Sequence, residues 1–349
     1  MASKGGKVLI ANLLLVLAAV AVTALGFEVA LRLLEPVSNV QLLSESRTAH
    51  GSYLALRPGV RGLVLGRPVT VNEDAYRGIL RPRHKAPGVI RLLFFGDSHT
   101  FSMGADDQHA YPAIVERMLN AGGSCCEVLN FGVPGQDLNQ ILVLANERVF
   151  AYGADVVVIT FHNGDILESP DDEVPGARPA GPGWLYRFKV EALRESYLAR
   201  LVIPYGAAFL RAALGWQAGV THAEQREIEH DGKTWLRLGA RVLELKRELD
   251  RRGAVLVFAL FPSMLPFADH PARGEFKALA AWLEAHGIPT VDLLPFYDGQ
   301  SAWRLTASLL DKHPNEAGYA IAGKAVAEFL VPLVKRRRDQ GRGMEGTTR

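Results

Sequence analysis

The segment Leu93-Phe-Phe-Gly-Asp-Ser-His-Thr-Phe-Ser-Met-Gly104 places the hydroxyl of Ser98 in a polar turn directly after the apolar run Val89–Phe95. Such a run reads as a buried strand, and open α/β sheets bind ligands just past the carboxyl ends of their strands. A serine in that position attacks a carbonyl only if a base takes its proton and hydrogen-bond donors receive the oxyanion. Three later segments bring polar residues to comparable turns. They are Val128-Leu-Asn-Phe-Gly-Val-Pro-Gly-Gln-Asp137, Ala154-Asp-Val-Val-Val-Ile-Thr-Phe-His-Asn-Gly-Asp165 and Asp311-Lys-His-Pro-Asn-Glu-Ala-Gly-Tyr319. Nucleophile, base and donors all have candidates, and the chemistry they suit is acyl transfer through serine.

The turn lacks the Gly-x-Ser-x-Gly elbow of α/β-hydrolases, because Gly96 stands two residues before Ser98 and His99 follows it. It resembles the Gly-Asp-Ser block of the SGNH (GDSL-type) hydrolase superfamily, with His99 where that family usually has Leu or Phe. The other three segments resemble the family's later blocks in the same order. The resemblance implies Ser98 as nucleophile and His313 as base, and an imidazole of unperturbed pKa about 6.5 accepts and returns a proton near neutrality. Asp311 then holds the imidazole tautomer and stabilises the imidazolium, although the usual family spacing is Asp-x-x-His and this chain has Asp-x-His. The N–H groups of Ser98 and Gly135 and the side chain of Asn163 are the implied oxyanion donors. A gapless match to Gly-x-Asn-Asp would put Gly164 in the amide position, whereas the Gly-His-Asn pattern of related sequences favours Asn163.

The elements that must position these residues are legible in outline. Val156–Phe161, Ala254–Phe261 and Thr290–Leu294 read as further buried strands, and helices are expected at 108–121, 137–151, 223–252 and 273–286, with a last one from about Asn315. Alternating strands and helices imply a parallel sheet with right-handed crossovers. The family resemblance makes this a flavodoxin-like three-layer α/β/α sandwich with a parallel sheet of about five strands, the SGNH hydrolase fold. Residues 166–222 interrupt the alternation as an insertion, opening with the acidic, Pro/Gly-rich stretch Glu168–Gly183. Long insertions near an active-site edge often act as lids.

The chain has 349 residues, 48% of them hydrophobic, enough for one substantial domain with extensions. Val8–Phe27 is apolar apart from Asn12, Thr23 and Gly26, and is long enough to cross a bilayer. Lys4 and Lys7 precede it, so the expectation is one transmembrane signal anchor with the N-terminus in the cytoplasm and the body outside. The domain reading is a cytoplasmic N-terminus at 1–7, the anchor at 8–27 and a neck at 28–88. The hydrolase-like domain follows at 89–335, and 336–349 read as a disordered basic tail. In the neck, Val69–Gly78 resembles a short segment often found ahead of this domain in bacterial envelope members. Net charge is only +2, and six Lys/Arg against two Asp/Glu fall in Lys335–Arg349. No basic face is left to suggest nucleic acid as a partner. Cys125 and Cys126 match no zinc spacing, and as strand neighbours they are expected to point to opposite faces. No cofactor or metal is expected.

The reading is therefore a serine esterase of the cell envelope, anchored in the inner (cytoplasmic) membrane with a periplasmic domain. Its partners are the membrane and an acyl-ester substrate such as an O-acetylated glycan or a lipid ester. Two alternatives fit the same residues: an O-acetyltransferase acting on exopolysaccharide or cell-wall glycan, and a catalytically silent, membrane-tethered interaction domain.

Overall fold

A computed structural model describes residues 4–34, 42–48, 51–123, 125–162, 232–308 and 311–346. The chain divides into two compact units, Met1–Asn39 with Arg178–Ala218, and Val40–Ala177 with Gly219–Arg349. In the first, the described element is one Leu/Ala/Val-rich helix, α1 (Lys4–Leu34), whose stretch Ala11–Ala30 is long and apolar enough to cross a membrane. It runs a further seven residues beyond the expected end at Phe27. The expected insertion, 166–222, lies outside the described residues, as does Asn163.

The second unit opens with two antiparallel hairpins, β1 (Leu43–Thr48) with β2 (Gly51–Leu56) and β3 (Arg61–Val64) with β4 (Arg67–Thr70). The central sheet then begins: β5 (Ile90–Gly96), a one-turn helix α2 (Ser98–Phe101), α3 (Tyr111–Leu119), β6 (Cys126–Gly132), α4 (Leu138–Arg148) and β7 (Val156–His162). After the undescribed stretch come α5 (Gly232–Arg251), β8 (Val255–Phe261), α6 (Arg273–Ala285) and β9 (Thr290–Asp292). A 3₁₀ turn at Leu294–Tyr297, α7 (Ala302–Leu305), β10 (Thr306–Ser308), β11 (Asp311–Pro314) and α8 (Glu316–Gly346) complete the order.

The five long-range strands form a parallel sheet in the order β6-β5-β7-β8-β9. Every residue of β5 is buried, which is why its sequence is a continuous apolar run rather than an alternation. α3 packs against α8, and α4 against α5. Strand order reverses at β5, between β6 and β7, and Ser98 follows β5 directly. Ligands of doubly wound sheets bind at such a switch point.

Helix ends follow local chemistry more closely than the periodicity predicts. α4 starts at Leu138 because the Asp137 carboxylate caps it, accepting from Gln140 N at 2.9 Å. Two expectations are corrected. α8 continues to Gly346, so most of the expected disordered tail is helical: a helix nucleated on buried Ala322, Val326, Leu330 and Val334 propagates cheaply through Lys335–Arg338. Cys125 precedes β6 instead of lying in it, so the two sulfurs do not splay to opposite faces but approach to 3.0 Å.

The lead-in is fastened to the sheet through Arg77. Its backbone N–H donates to Asn130 O of β6 at 2.9 Å, and its side chain is buried. The guanidinium bonds Phe101 O (2.5 Å), Ser102 O (2.9 Å), Ala105 O (2.7 Å) and the Asp107 carboxylate (2.9 Å). Those carbonyls belong to the end of α2 and the loop after it. Removing the guanidinium would strand three carbonyls and a carboxylate. Arg77→Ala is therefore expected to cost about 3–5 kcal/mol, seen as a lower urea midpoint with an unchanged slope.

Candidate active site

Asp97 turns the chain at the end of β5. Its side chain caps α2 by accepting from His99 N at 2.8 Å, leaving Ser98 as the first helical residue. The expected polar turn is thus a one-turn helix. Asn130 Nδ2 donates to Thr100 O at 2.9 Å. α2 also lies so close to β6 that a Cβ on Gly132 would collide with the backbone of Thr100 and Phe101.

His313 was expected in a loop. It lies instead in β11, which pairs with β10 through Thr306↔Pro314 and Ser308↔Asp311 with a register shift between them. This short hairpin escapes sequence reading because neither strand is apolar or long. Two contacts hold it against α2's loop: Tyr319 Oη donates to Met103 O at 2.9 Å, and Gly104, at φ +91°, lies against Pro314 O and Ala307. The result is that His313 Nε2 and Ser98 Oγ stand 2.7 Å apart across 215 residues of sequence. That separation fits a serine O–H donated to the imidazole of a histidine carrying its proton on Nδ1, the tautomer a general base needs.

The other expected site residues fall as follows. Gly135 sits in the turn between β6 and α4 at φ +81°, and among the described residues neither its N–H nor that of Ser98 has an acceptor. Asp311 lies two residues before His313 in β11. Asp292, an alternative acid, accepts from Leu294 N at 2.9 Å.

A group that sequence reading left without a role surrounds this pair. His99 Nδ1 lies 3.0 and 3.2 Å from the two Asp97 oxygens, and Asp97 Oδ2 is 3.3 Å from Ser98 Oγ. The His99 ring stacks on His162 (centroids 4.0 Å, 18° between planes) and is 5.3 Å from the His313 ring. His162 Nε2 meets Ser263 Oγ at 2.8 Å, and the Ser263 carbonyl meets His270 Nε2 at 3.0 Å. Burial alone would push the Asp97 carboxyl up, but the adjacent His99, through its charge and hydrogen bonds, holds it well below the usual carboxylate range. Burial, with His99 beside it, pushes His162 well below the ordinary imidazole range, so His162 is neutral.

Residues 94–321 match the model of the GDSL-like Lipase/Acylhydrolase family, about two thirds of the chain. The chain belongs to this family. With the Ser98–His313 pair in hydrogen-bonding contact, it is a serine ester hydrolase. No curated protein matches it. Among solved structures it is similar to the lipase/acylhydrolase from Enterococcus faecalis (15% identity, covering 70% of this chain and 96% of that one, TM-score 0.39). It is also similar to a catalytic mutant of an acetylxylan esterase from Geobacillus stearothermophilus (15% identity, 70% and 96% coverage, TM-score 0.42).

Two clusters in this GDSL-family hydrolase have metal-ligand residue types. Ligand atoms of Asp97, His99 and His162 lie within 4.8 Å of one another, but two stacked imidazoles cannot both aim in-plane lone pairs at one ion. In the second, Asp106, His109 and Glu316, the Asp106 Oδ1 atom already accepts from the Gln108 and His109 amides, and Glu316 pairs with Arg67. Neither is built to receive a cation.

The Gly104 contact yields a test of the site's assembly. A Cβ there would stand 2.7 Å from Pro314 O, between the loop that follows Ser98's helix and the hairpin that carries His313. Displacing a catalytic group by about 1 Å can cost about 10²-fold in rate. Gly104→Ala is expected to lower kcat/KM by at least that order while lowering stability by only about 1–3 kcal/mol, measured with a small acyl ester and by thermal melting.

Proposed function

We propose that this hydrolase is an envelope esterase that cleaves acyl esters through a covalent acyl-enzyme, in the bacterial membrane-anchored branch of its superfamily. The observation that carries the reading is the 2.7 Å contact between Ser98 Oγ and His313 Nε2 at the switch point of the sheet. Ser98 attacks the ester carbonyl as His313 takes its proton. His313 returns that proton to the leaving alcohol, and then activates water to release the acid. Asp311 orients His313, a role favoured by its position two residues away on one strand, since such positions share a face. Ser98 N–H, Gly135 N–H and the Asn163 amide receive the oxyanion. The glycine's positive φ and the lack of an acceptor for either N–H among the described residues support this.

The esters it meets are those outside the cytoplasm, O-acetylated glycans and lipid esters. Support comes from α1, apolar over Ala11–Ala30, preceded by Lys4 and Lys7, with Leu15 and Val22 exposed. α8 also has the length and apolarity of a span, but half of that stretch is buried and it belongs to the core. In this reading 1–7 are cytoplasmic, α1 holds the chain in the inner membrane, 28–88 form a neck, and the hydrolase domain from 89 to 335, with its 166–222 insertion, is periplasmic.

Acetate release from a panel of acetylated glycans tests the activity. Ser98→Ala should abolish turnover with the fold intact. His313→Ala should be nearly as damaging, because the pair acts as a unit, and Asp311→Ala should cost less. Asn163→Ala should lose on the order of 10²–10³ in kcat with KM little changed. Retention of more than a few per cent of activity by Ser98→Ala would exclude the mechanism.

The anchor is tested separately. A C-terminal alkaline phosphatase fusion should be active in intact cells, and alkaline washing should leave the full-length protein in the membrane. An inactive fusion would reverse the orientation, and a shortened soluble form would show cleavage.

A further inference from the structure

We propose that His99 is a positioning residue for the serine–histidine reaction. Its imidazole, hydrogen-bonded to Asp97 and stacked on His162, sets how readily His313 takes the Ser98 proton, because its Nδ1–H, donated to the Asp97 carboxylate, draws that negative charge away from His313. The inference rests on the catalytic reading of Ser98 and His313. Its grounds are the contacts themselves. Asp97 Oδ2 is 3.3 Å from the nucleophile, His99 Nδ1 is 3.0 Å from that same oxygen, and the His99 and His313 rings are 5.3 Å apart. Only 5% of His99 is exposed, and among the described residues its Nε2 has no hydrogen-bond partner. One ring nitrogen is thus committed to Asp97.

The titratable groups facing His99 come from every element around it. Asp97 leads into its own helix, His162 comes from β7 and His313 from β11, while Phe261 of β8 supplies an apolar wall 5.1 Å from its ring. Behind them, Tyr111 of α3 is hydrogen-bonded to Thr160, and His270 reaches His162 through Ser263. His162 is held neutral, so it does not offset the Asp97 charge. The sign follows. A bare Asp97 carboxylate favours the imidazolium form of His313 and so raises the pH below which the base is lost. The His99 Nδ1–H, donated to that carboxylate, weakens the pull and keeps His313 neutral, and able to accept, at lower pH.

The test is the acid limb of kcat/KM on a small acyl ester, using the full chain in detergent. His99→Phe keeps an aromatic ring against His162 and Phe261 but cannot pair with Asp97. It should move the limb upward by on the order of one pH unit, with turnover on the alkaline plateau within about threefold of wild type. The double variant Asp97→Asn/His99→Phe keeps an N-cap and removes the charge, and should bring the limb back down. A limb in His99→Phe that coincides with wild type would overturn the proposal, as would a shift that Asp97→Asn does not reverse. If His99→Phe does not fold, His99→Gln is read by the same limb and the same reversal. Ser98→Ala is measured alongside: activity surviving in it would refute the catalytic reading itself, whereas an inactive Ser98→Ala with an unmoved limb in the His99 variant would refute only the role of His99.

Discussion

A buried guanidinium holds the nucleophile's helix in place. Four residues of α-helix are far below the length that is stable by itself, so Ser98–Phe101 exists only because its surroundings bind it. Arg77 gathers the carbonyls of Phe101, Ser102 and Ala105, Asn130 takes that of Thr100, and Asp97 caps the start. The absence of a side chain at Gly132 lets the turn rest on the end of β6. Desolvation opposes a charge on Arg77, and the Asp107 carboxylate offsets it. Mechanically, then, the segment ahead of β5 supports the site through Arg77. The stretch Val69–Gly78 is less a spacer from a membrane than the brace against which the serine is set.

The site departs from an apolar floor at one position, and the consequences spread. With His99 beneath the Ser98–His313 pair, Asp97 has a partner for both oxygens and remains ionised despite its burial. The same ring occupies one face of His162, whose Nε2 is engaged by Ser263. The His99–His162 stack thus links the ends of β5 and β7, and His162 in turn meets Ser263, which follows β8.

Much of this was legible in the sequence because the signals were local. β5, β7 and β8 are predominantly apolar runs, and the Gly-Asp-Ser and His-Pro blocks announce a nucleophile and a base. Their meeting across 215 residues is brought about by the β10–β11 hairpin and its contacts with the loop after α2. What escaped was non-local. Arg77 looks like any charged residue in a Pro/Gly-punctuated lead-in, and only the fold reveals four acceptors converging on it. The β10–β11 hairpin has three- and four-residue strands without alternation, so no periodicity marks it. His99 was visible as an odd residue in a family block, yet its stacking partner lies 63 positions away. The side chain of Asp311 and all of Asn163 lie outside the described residues, so their roles rest on sequence and on the placement of their neighbours.

The two edges of the sheet treat buried polarity in opposite ways, and the contrast locates function independently of any motif. At the amino edge Arg91 is fully buried, and its guanidinium meets Glu127, Arg83 O and Tyr152 O, while its N–H meets Asp155. Such a group is paired on every side and can only stabilise. At the carboxyl edge Ser98 has a hydroxyl shared between His313 and Asp97, and one ring nitrogen of His99 has no partner among the described residues. The Gly135 N–H likewise has no acceptor among the described residues. Leaving donors and acceptors with spare capacity in a largely buried site costs stability, and the fold tolerates that cost at this edge. The full pairing of Arg91 and Arg77 anchors the elements on either side, so a reacting carbonyl finds its partners already in position.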